Sequence, residues 1–447
     1  MKAFLGALLL PVAGWAVPVE IAPDGAWTFF NDERGLFHEG HFYIGYVKRD
    51  GDVGLTRYTP PSGEAHHMVL GSDAARQRDD HNNPSLTVMP DGKLLAMYAR
   101  HIADPFFFHR RSKVDAPKSI EDWGEEKRET VAAKVTYSNT FYLSGENRVY
   151  DFQRSLNFNP AYTTSGDAGR SWAEVRPLVK TGGGAVRPYF HYTSDGSGRI
   201  DLTYTDGHPR NAKNSLYHLY YENGSLHRSD GSVVKDMDAL PLDHDAGERG
   251  TMIYRYFEGE TPESRDDGMP NGRAWIWDLE YDSEGKPVCV FQLQPHRGDD
   301  FDREISSFPD GRIRYYWARW TGNTWEVRFI AEAGRGMYRD EDDYAGGICL
   351  DPDDPAVVYL SSNARSPFDL HQETVPLGPG ERYEIHRGRT TDGGKSFEWE
   401  PVTKDSSEDQ LRPFVAKGHG WKRHVVWFAG DYKTYEDYRC RVMGVFE

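Results

Sequence analysis

The chain has 447 residues and a formal net charge of −17, from 53 Lys and Arg against 70 Asp and Glu. This balance argues against nucleic acid or an anionic membrane as partner, and an anionic substrate would need a local basic pocket to override the global field. With 12 Trp, 26 Tyr, 22 Phe and 45 Gly, the composition is that of aromatic strands joined by glycine turns, an all-β pattern.

Residues 1–16 read as a secretory signal peptide. Lys2 is the charged start, Phe4 to Val12 is an apolar run too short to span a bilayer, and Gly14 and Ala16 suit a cleavage site. No later stretch suits a membrane helix. The expectation is an exported, extracellular protein with one folded domain over 17–447.

A first unit lies within 35–59, with Phe42-Tyr43-Ile44-Gly45-Tyr46-Val47 before a turn at Arg49-Asp50-Gly51-Asp52. The next stretch, 79–101, reads as two short strands around the turn Pro90-Asp91-Gly92. His81 and His101 are equidistant from Asp91, so an antiparallel hairpin brings them together at its open end. The second hairpin, 136–154, turns at Gly145-Glu146 and should pair Tyr137 with Arg154. The third runs from Arg187-Pro188-Tyr189 through Ser194-Asp195-Gly196 to Asp206-Gly207-His208-Pro209-Arg210. One pair of histidines is most simply structural. Three successive hairpins ending in His/His, Tyr/Arg and Arg/Tyr/His/Arg are harder to explain as packing.

Further strands follow at 214–223, 274–281, 288–291, 347–350, 357–360, 411–415 and 424–428. Arg412-Pro413-Phe414 repeats the place of Arg187-Pro188-Tyr189, so the repeat is internal. Units begin near 35, 81, 137, 187, 275, 344 and 412, which predicts a seven-bladed β-propeller of four-stranded antiparallel blades. Ser165-Gly166-Asp167-Ala168-Gly169-Arg170-Ser171-Trp172 has the form of an Asp box, and Thr390 to Phe397 is a degenerate copy. Such turns support the fold and say nothing of function. Asn223-Gly224-Ser225 is a glycosylation sequon, meaningful only in a eukaryotic host. Cys289, Cys349 and Cys440 form no disulfide framework.

In a propeller the open ends of the inner hairpins crowd around one mouth of the central channel. There the set His81, His101, Tyr137, Arg154, Arg187, Tyr189, His208 and Arg210 offers bases, acids and cations but no obvious carboxylate pair for glycoside hydrolysis. Asp79, Asp80 and Asp206 are near enough in sequence to orient a histidine. The set suits β-elimination on a uronic acid. Arginine binds both oxygens of a carboxylate and stabilises the enolate-like transition state. A neutral histidine takes the C5 proton, and a tyrosine beside an arginine protonates the leaving O4. Two alternatives remain: a sialidase-like hydrolase, for which no glutamate partner is evident, and a non-catalytic glycan-binding propeller.

Asp80-His81-Asn82-Asn83-Pro84, Pro90-Asp91-Gly92-Lys93-Leu94, Tyr98-Ala99-Arg100-His101, Arg187-Pro188-Tyr189 and Asp206-Gly207-His208-Pro209-Arg210 resemble BNR-repeat propeller polysaccharide lyases. That group includes ulvan lyases and secreted rhamnose–glucuronate lyases acting on gum arabic. The resemblance spans about 25–430 and is strongest over 79–220. It implies cleavage of rhamnosyl-α-1,4-glucuronate linkages to a 4,5-unsaturated uronate, with His81, His101, Tyr137 and Arg154 catalytic and Arg187, Tyr189, His208 and Arg210 binding substrate. His81 is expected as base and Tyr137 as acid, although a tyrosine could fill both roles. No cofactor is expected for the chemistry. Some members bind zinc or calcium, for which His218 and Cys289 are the weak candidates here. The expected partner is an anionic uronate polysaccharide, met by a monomer.

Overall fold

The structure, a computed structural model, describes residues 17–72, 77–181, 187–210, 213–257, 265, 268–295, 312–337, 343–370 and 381–447. The signal segment 1–16 lies outside the described residues.

Seven antiparallel sheets follow one another along the chain. The first contains Gly35–His38, His41–Val47, Val53–Thr59 and Glu64–Gly71. The innermost strands of the next six are Ser85–Val88, Thr136–Leu143, Phe190–Ser194, Gly272–Tyr281, Ile348–Leu350 and Asp409–Phe414. These starts fall within a few residues of the expected unit boundaries. The fourth sheet departs from four strands: Ser225–His227 and Thr251–Tyr254 both pair with Leu216–Glu222, and Val233–Asp236 pairs with Ser225–His227, making six in all. Only three short 3-10 turns interrupt the β structure of the described residues.

Strands here are not strictly alternating because both faces of most blades pack on a neighbour. Leu94–Tyr98, for instance, is buried at every position. The ring closes with its two chain ends. Val19–Ala22 adds the outermost strand of the seventh sheet, pairing Val19 with Gly444 and Ala22 with Val442. Ile21 and Ala22 are fully buried there, so closure joins ladder hydrogen bonds to apolar burial.

One feature has no counterpart in the sequence expectations. Residues 26–34 run along the inner strands and fill the channel. Thr28 N–H donates to Asp80 O and Asn83 Oδ1, both at 3.1 Å. Asp32 N–H donates to Asn139 Oδ1 at 2.9 Å, and Leu86 N–H to Glu33 O at 2.7 Å. Phe29 stacks on Trp277 at 3.7 Å, while Arg412 Nη1 donates to Trp27 O at 2.5 Å. The segment thus ties inner strands of several blades together and floors whatever lies above it. Gly45 permits one close approach: a Cβ there would stand 2.3 Å from the Pro84 ring, just after the 79–83 turn.

Both Asp boxes form the expected turns. Asp167 Oδ1 accepts from Ser165 Oγ at 2.8 Å and Ser171 N–H at 2.9 Å, and Asp392 Oδ1 accepts from Thr390 Oγ1 and Ser396 N–H, both at 2.9 Å.

Candidate active site

The 79–101 hairpin forms in the expected register: Val88 pairs with Leu94 and Ser85 with Met97. Beyond the ladder, Asp79 caps the turn Asp80–Asn82, its Oδ1 accepting His81 N–H at 2.9 Å. His101 N–H donates to Asn82 Oδ1 at 2.8 Å. The two imidazoles therefore stack, with centroids 4.2 Å apart and planes within 16°. Asp79 bridges them. Its Oδ1 lies 2.6 Å from His81 Nδ1 and its Oδ2 2.8 Å from His101 Nδ1. Asp80 Oδ1 is 3.0 Å from the same His81 nitrogen. Asp80 Oδ2 accepts from Arg412 Nη1 at 2.6 Å and from the Tyr432 hydroxyl.

The charges of this buried group can be counted. Asp79 and Asp80 both stand against His81 Nδ1, whereas Arg154 stands against His101 Nε2, so one proton on the histidine pair is better placed on His81. Two would place imidazolium charges at 4.2 Å, a repulsion of about 4 kcal/mol at an effective dielectric of about 20. Burial disfavours charge on His81, yet Asp79 and Asp80 outweigh it and push its pKa up to about 10. Burial and the His81 charge bring His101 down to about 4. Burial would raise Asp79, but the two histidines hold it well below the usual carboxylate range. His81 is thus the more basic ring and His101 the less basic. With its Nδ1 proton on Asp79, His101 keeps a lone pair on Nε2, which faces Arg154 Nη2 at 3.4 Å.

The second hairpin also keeps its expected register over most of its length, with Asn139 opposite Phe152 and Leu143 opposite Arg148. A bulge then shifts it, so that Thr136, not Tyr137, pairs with Arg154. Tyr137 is the bulged residue, at φ 68°. Arg154 nonetheless reaches it, its guanidinium carbon 4.8 Å from the Tyr137 ring and 5.2 Å from that of Tyr189. Burial raises Tyr137 well above the ordinary phenol range. Burial opposes ionisation of Tyr189 as well, but Arg154 outweighs it and Tyr189 is lowered. Arg154 Nε and Nη1 are buried without a well-formed hydrogen bond, and Arg154 has no carboxylate at ion-pair distance among the described residues.

His208 is held by its own strand end: its Nδ1 accepts Arg210 N–H at 3.2 Å, leaving Nε2–H as a donor. Burial and the cations Arg210, Arg154 and Arg187 bring its pKa down to about 2, so it stays neutral. Arg210 pairs through Nε and Nη2 with buried Asp343, at 3.1 and 3.0 Å. Arg187 lies over Phe158, its guanidinium carbon 4.6 Å from the ring centroid.

These groups surround one cavity of about 230 Å³. His81, His101, Arg154, Arg187, Tyr189, His208 and Arg210 all line it, over a floor of Thr28, Phe29 and Phe30. Tyr137 sits behind it, on a smaller cavity of about 20 Å³ shared with Arg154 and Tyr189. Ile102, Arg412, Tyr344 and Tyr435 also line the larger cavity and were not singled out for it from sequence, although the repeated Arg-Pro step at 412 was the available signal for Arg412. Backbone strain gathers here: Ile102, Tyr137, Arg187 and Arg412 all have positive φ, at 54°, 68°, 40° and 51°. Among the described residues, none that lines the cavity is Asp or Glu. Asp206 does not orient a histidine; its carboxylate accepts Ser215 N–H at 2.8 Å and the Tyr217 hydroxyl at 3.3 Å.

The metal candidates do not assemble. His218 is fully buried with both nitrogens engaged, Nε2 with Asp201 at 2.8 Å and Nδ1 with Ser229 at 2.9 Å. Cys289 is a buried thiol that burial pushes up, and neither residue joins a third donor among the described residues. Asp79, His81 and His101 are close enough to share an ion. Both carboxylate oxygens bind Nδ1 positions, and the Arg154 cation stands 3.4 Å from His101 Nε2.

Comparison with known proteins agrees with this architecture. An ulvan lyase of polysaccharide lyase family 25, solved with -[GlcA(1-4)Rha3S]- bound, superposes with a TM-score of 0.65 at 14% identity, covering 95% of each chain. A second structure of such an ulvan lyase gives 0.64, also at 14% identity and 95% of each chain. The polysaccharide lyase Uly1 gives 0.53 at 11% identity, over 98% of this chain and 94% of that one. At these identities the likeness shows the fold. No curated protein matches the chain significantly. The sequence model described as BNR repeat-containing family member matches residues 41–333, well over half of the chain, and the chain therefore belongs to the BNR repeat-containing family.

Proposed function

We propose that this protein is a secreted, monomeric polysaccharide lyase that cleaves a uronate-containing polysaccharide by β-elimination. The observation that carries the reading is the cavity itself: a buried Arg154, with no carboxylate at ion-pair distance among the described residues, stands between an imidazole and a phenol pair, and none of the described lining residues is a carboxylate. A hydrolase of the usual kind needs two carboxylates flanking the bond. Here Asp79, Asp80 and Asp343 lie behind the lining, each engaged with a histidine or an arginine. A passive uronate binder would have no use for a lone pair and a lowered phenol in the same pocket.

In the proposed reaction Arg154 takes the C6 carboxylate through both oxygens, with the His81 cation beside it. Charge building on the carboxylate as the C5–H bond breaks is then stabilised by fixed cations. His101 Nε2 accepts the C5 proton. The sequence reading gave this role to His81; the charge balance favours His101, because a ring held as a cation by two carboxylates has no lone pair to offer. The C5–H electrons become the C4–C5 double bond, and the C4–O4 bond breaks. The Tyr137–Tyr189 pair supplies the proton to O4, with Tyr189 on the cavity wall and Tyr137 behind it. His208 Nε2–H and Arg187 bind hydroxyl or carboxylate oxygens of the flanking sugar. No cofactor enters the steps.

For substrate we propose a rhamnosyl-α-1,4-glucuronate linkage, supported by the resemblance of the His, Arg-Pro-Tyr and His-Pro-Arg motifs and by the glucuronate–rhamnose ligand of the similar ulvan lyase. The test is a panel of ulvan, gum arabic and glycosaminoglycans, followed by ultraviolet absorbance with chelator present. A conjugated unsaturated uronate supports the reading. New reducing ends without that absorbance would replace it with hydrolysis, and tight binding without turnover would make this a lectin.

A further inference from the structure

Asp79 lines no wall of the cavity, yet its carboxylate touches both histidines that do. Each oxygen serves one Nδ1, at 2.6 Å and 2.8 Å, and Oδ1 also accepts the His81 backbone N–H. We propose that Asp79 is a positioning residue that fixes one proton unequally on the His81–His101 pair, presenting one ring to substrate as a cation and the other as a base. The proposal rests on the lyase reading for its consequence but not for its geometry.

Three features carry it. The bridge turns both Nδ1 atoms inward, so both Nε2 atoms are the ones left for the cavity. The rings are not equivalent: His81 Nδ1 has a second carboxylate oxygen, from Asp80, at 3.0 Å, whereas among the described residues His101 has Asp79 alone. Finally, the cations around the pair are placed asymmetrically. Arg154 of the third blade faces His101 Nε2 at 3.4 Å and opposes a charge there, while Arg412 of the seventh blade is paired with Asp80 on the His81 side. The other titratable neighbours among the described residues are phenols: Tyr137 and Tyr189 from blades three and four, Tyr435 edge-on to His81 with centroids 5.1 Å apart, and Tyr432, whose hydroxyl donates to Asp80 Oδ2. The shifts up to about 10 for His81 and down to about 4 for His101 agree with this asymmetry.

Asp79→Asn is a suitable probe because asparagine remains a good N-cap and can still accept His81 N–H. Its amide, however, offers one oxygen and one NH2 where the carboxylate offers two acceptors. An NH2 facing His101 Nδ1 favours the opposite tautomer, with a proton where the base needs a lone pair. On a uronate polymer, kcat should fall roughly 100-fold with little change in KM. The alkaline limb of the pH–rate profile should move down by about 1–3 units as His81 loses its counter-charge.

The second readout needs no activity. Ring-nitrogen NMR of the resting wild-type protein at pH 8 should show one imidazole protonated on both nitrogens and one on Nδ1 alone. In Asp79→Asn the doubly protonated ring should be lost at that pH. Two neutral rings in the wild type, or an Asp79→Asn spectrum and pH profile like the wild type, would overturn the proposal. If no polymer yields an unsaturated product, the lyase reading fails and the NMR result still decides the role of Asp79. Should Asp79→Asn fail to fold, the wild-type spectrum decides it alone.

Discussion

Replacing Arg154 by lysine tests the site at its most exposed assumption. The guanidinium is 5% exposed, and the two rings beneath it hold its plane, 4.8 and 5.2 Å away. Its Nε and Nη1 have no well-formed hydrogen bond in the free protein, and Nη2 makes only a long contact to His101. Arg154 lines the cavity, so a carboxylate entering it would meet the guanidinium there. An ammonium in the same position keeps the charge but loses the fork, and its point charge sits less well on a ring face. Losing one such transition-state contact typically costs about 3–4 kcal/mol, roughly 100- to 1,000-fold in rate.

Arg154→Lys should therefore lose most of its effect in kcat rather than KM, because charge on the carboxylate grows as C5 is deprotonated. Arg154→Ala should also return Tyr189 toward the ordinary phenol range, since the cation that lowers it is gone. The assay is the initial rate of unsaturated-uronate absorbance over a substrate series, with a melting curve on each variant to exclude misfolding. Near-normal turnover in Arg154→Ala would refute the reasoning and move carboxylate neutralisation to Arg187 or Arg210.

Asp167→Ala removes an acceptor for Ser165 Oγ, Arg170 N–H and Ser171 N–H in an exposed turn and should cost about 0.5–1.5 kcal/mol of stability, seen by denaturant titration, with kcat unchanged. Deleting residues 17–22 strips the outer strand from the last blade and buries Ile21 and Ala22 no longer, so the melting temperature should fall sharply while the residual folded protein stays active. Glu33 and Glu280, raised by burial to about 8 and about 7, hold protons in the folded chain that the unfolded chain has released. Their contribution to stability is complete below about pH 4.5 and is lost as pH rises through about 7 to 8, so Glu33→Gln should flatten the decline in melting temperature over that window.

Much of this site was legible because a hairpin is symmetric about its turn. Asp91 fixed the meeting of His81 and His101, and the register holds residue for residue. The same argument slipped by one at Tyr137, where a bulge intervenes. A bulge that puts a tyrosine at positive φ runs against local preference and is imposed by the packing around it, so no local signal announces it. Residues 26–34 were illegible for a related reason. Ala-Trp-Thr-Phe-Phe-Asn-Asp-Glu-Arg has no period, and its partners lie from about 50 to 385 positions away, at Asn83, Asn139 and Arg412. The surroundings of His218 were illegible because what decides a buried histidine's role is which neighbours satisfy it, here Asp201 and Ser229. The unequal proton sharing of His81 and His101 depends on Asp79, two residues from one ring and 22 from the other.

The net charge of −17 and a pocket for an anion are compatible only if the two act at different ranges. Behind Arg210 stands Asp343, and behind Arg412 and His81 stand Asp80 and Asp79, so much of the positive charge in the cavity is balanced within a few ångströms. Such a site projects little field beyond its mouth. A polyanion approaching from solution meets the acidic surface first and the cations only on contact. Surface repulsion is screened over about 8–10 Å at moderate ionic strength, whereas the buried contacts are screened much less. Added salt should therefore raise kcat/KM from its low-salt value before weakening binding at high concentration, with kcat nearly constant. Stopped-flow or initial-rate measurements from about 10 mM to 1 M salt would show this maximum. A monotonic fall from the lowest salt onward would mean that attraction is long-range, and that the cations of the cavity are less well balanced than their carboxylate partners indicate.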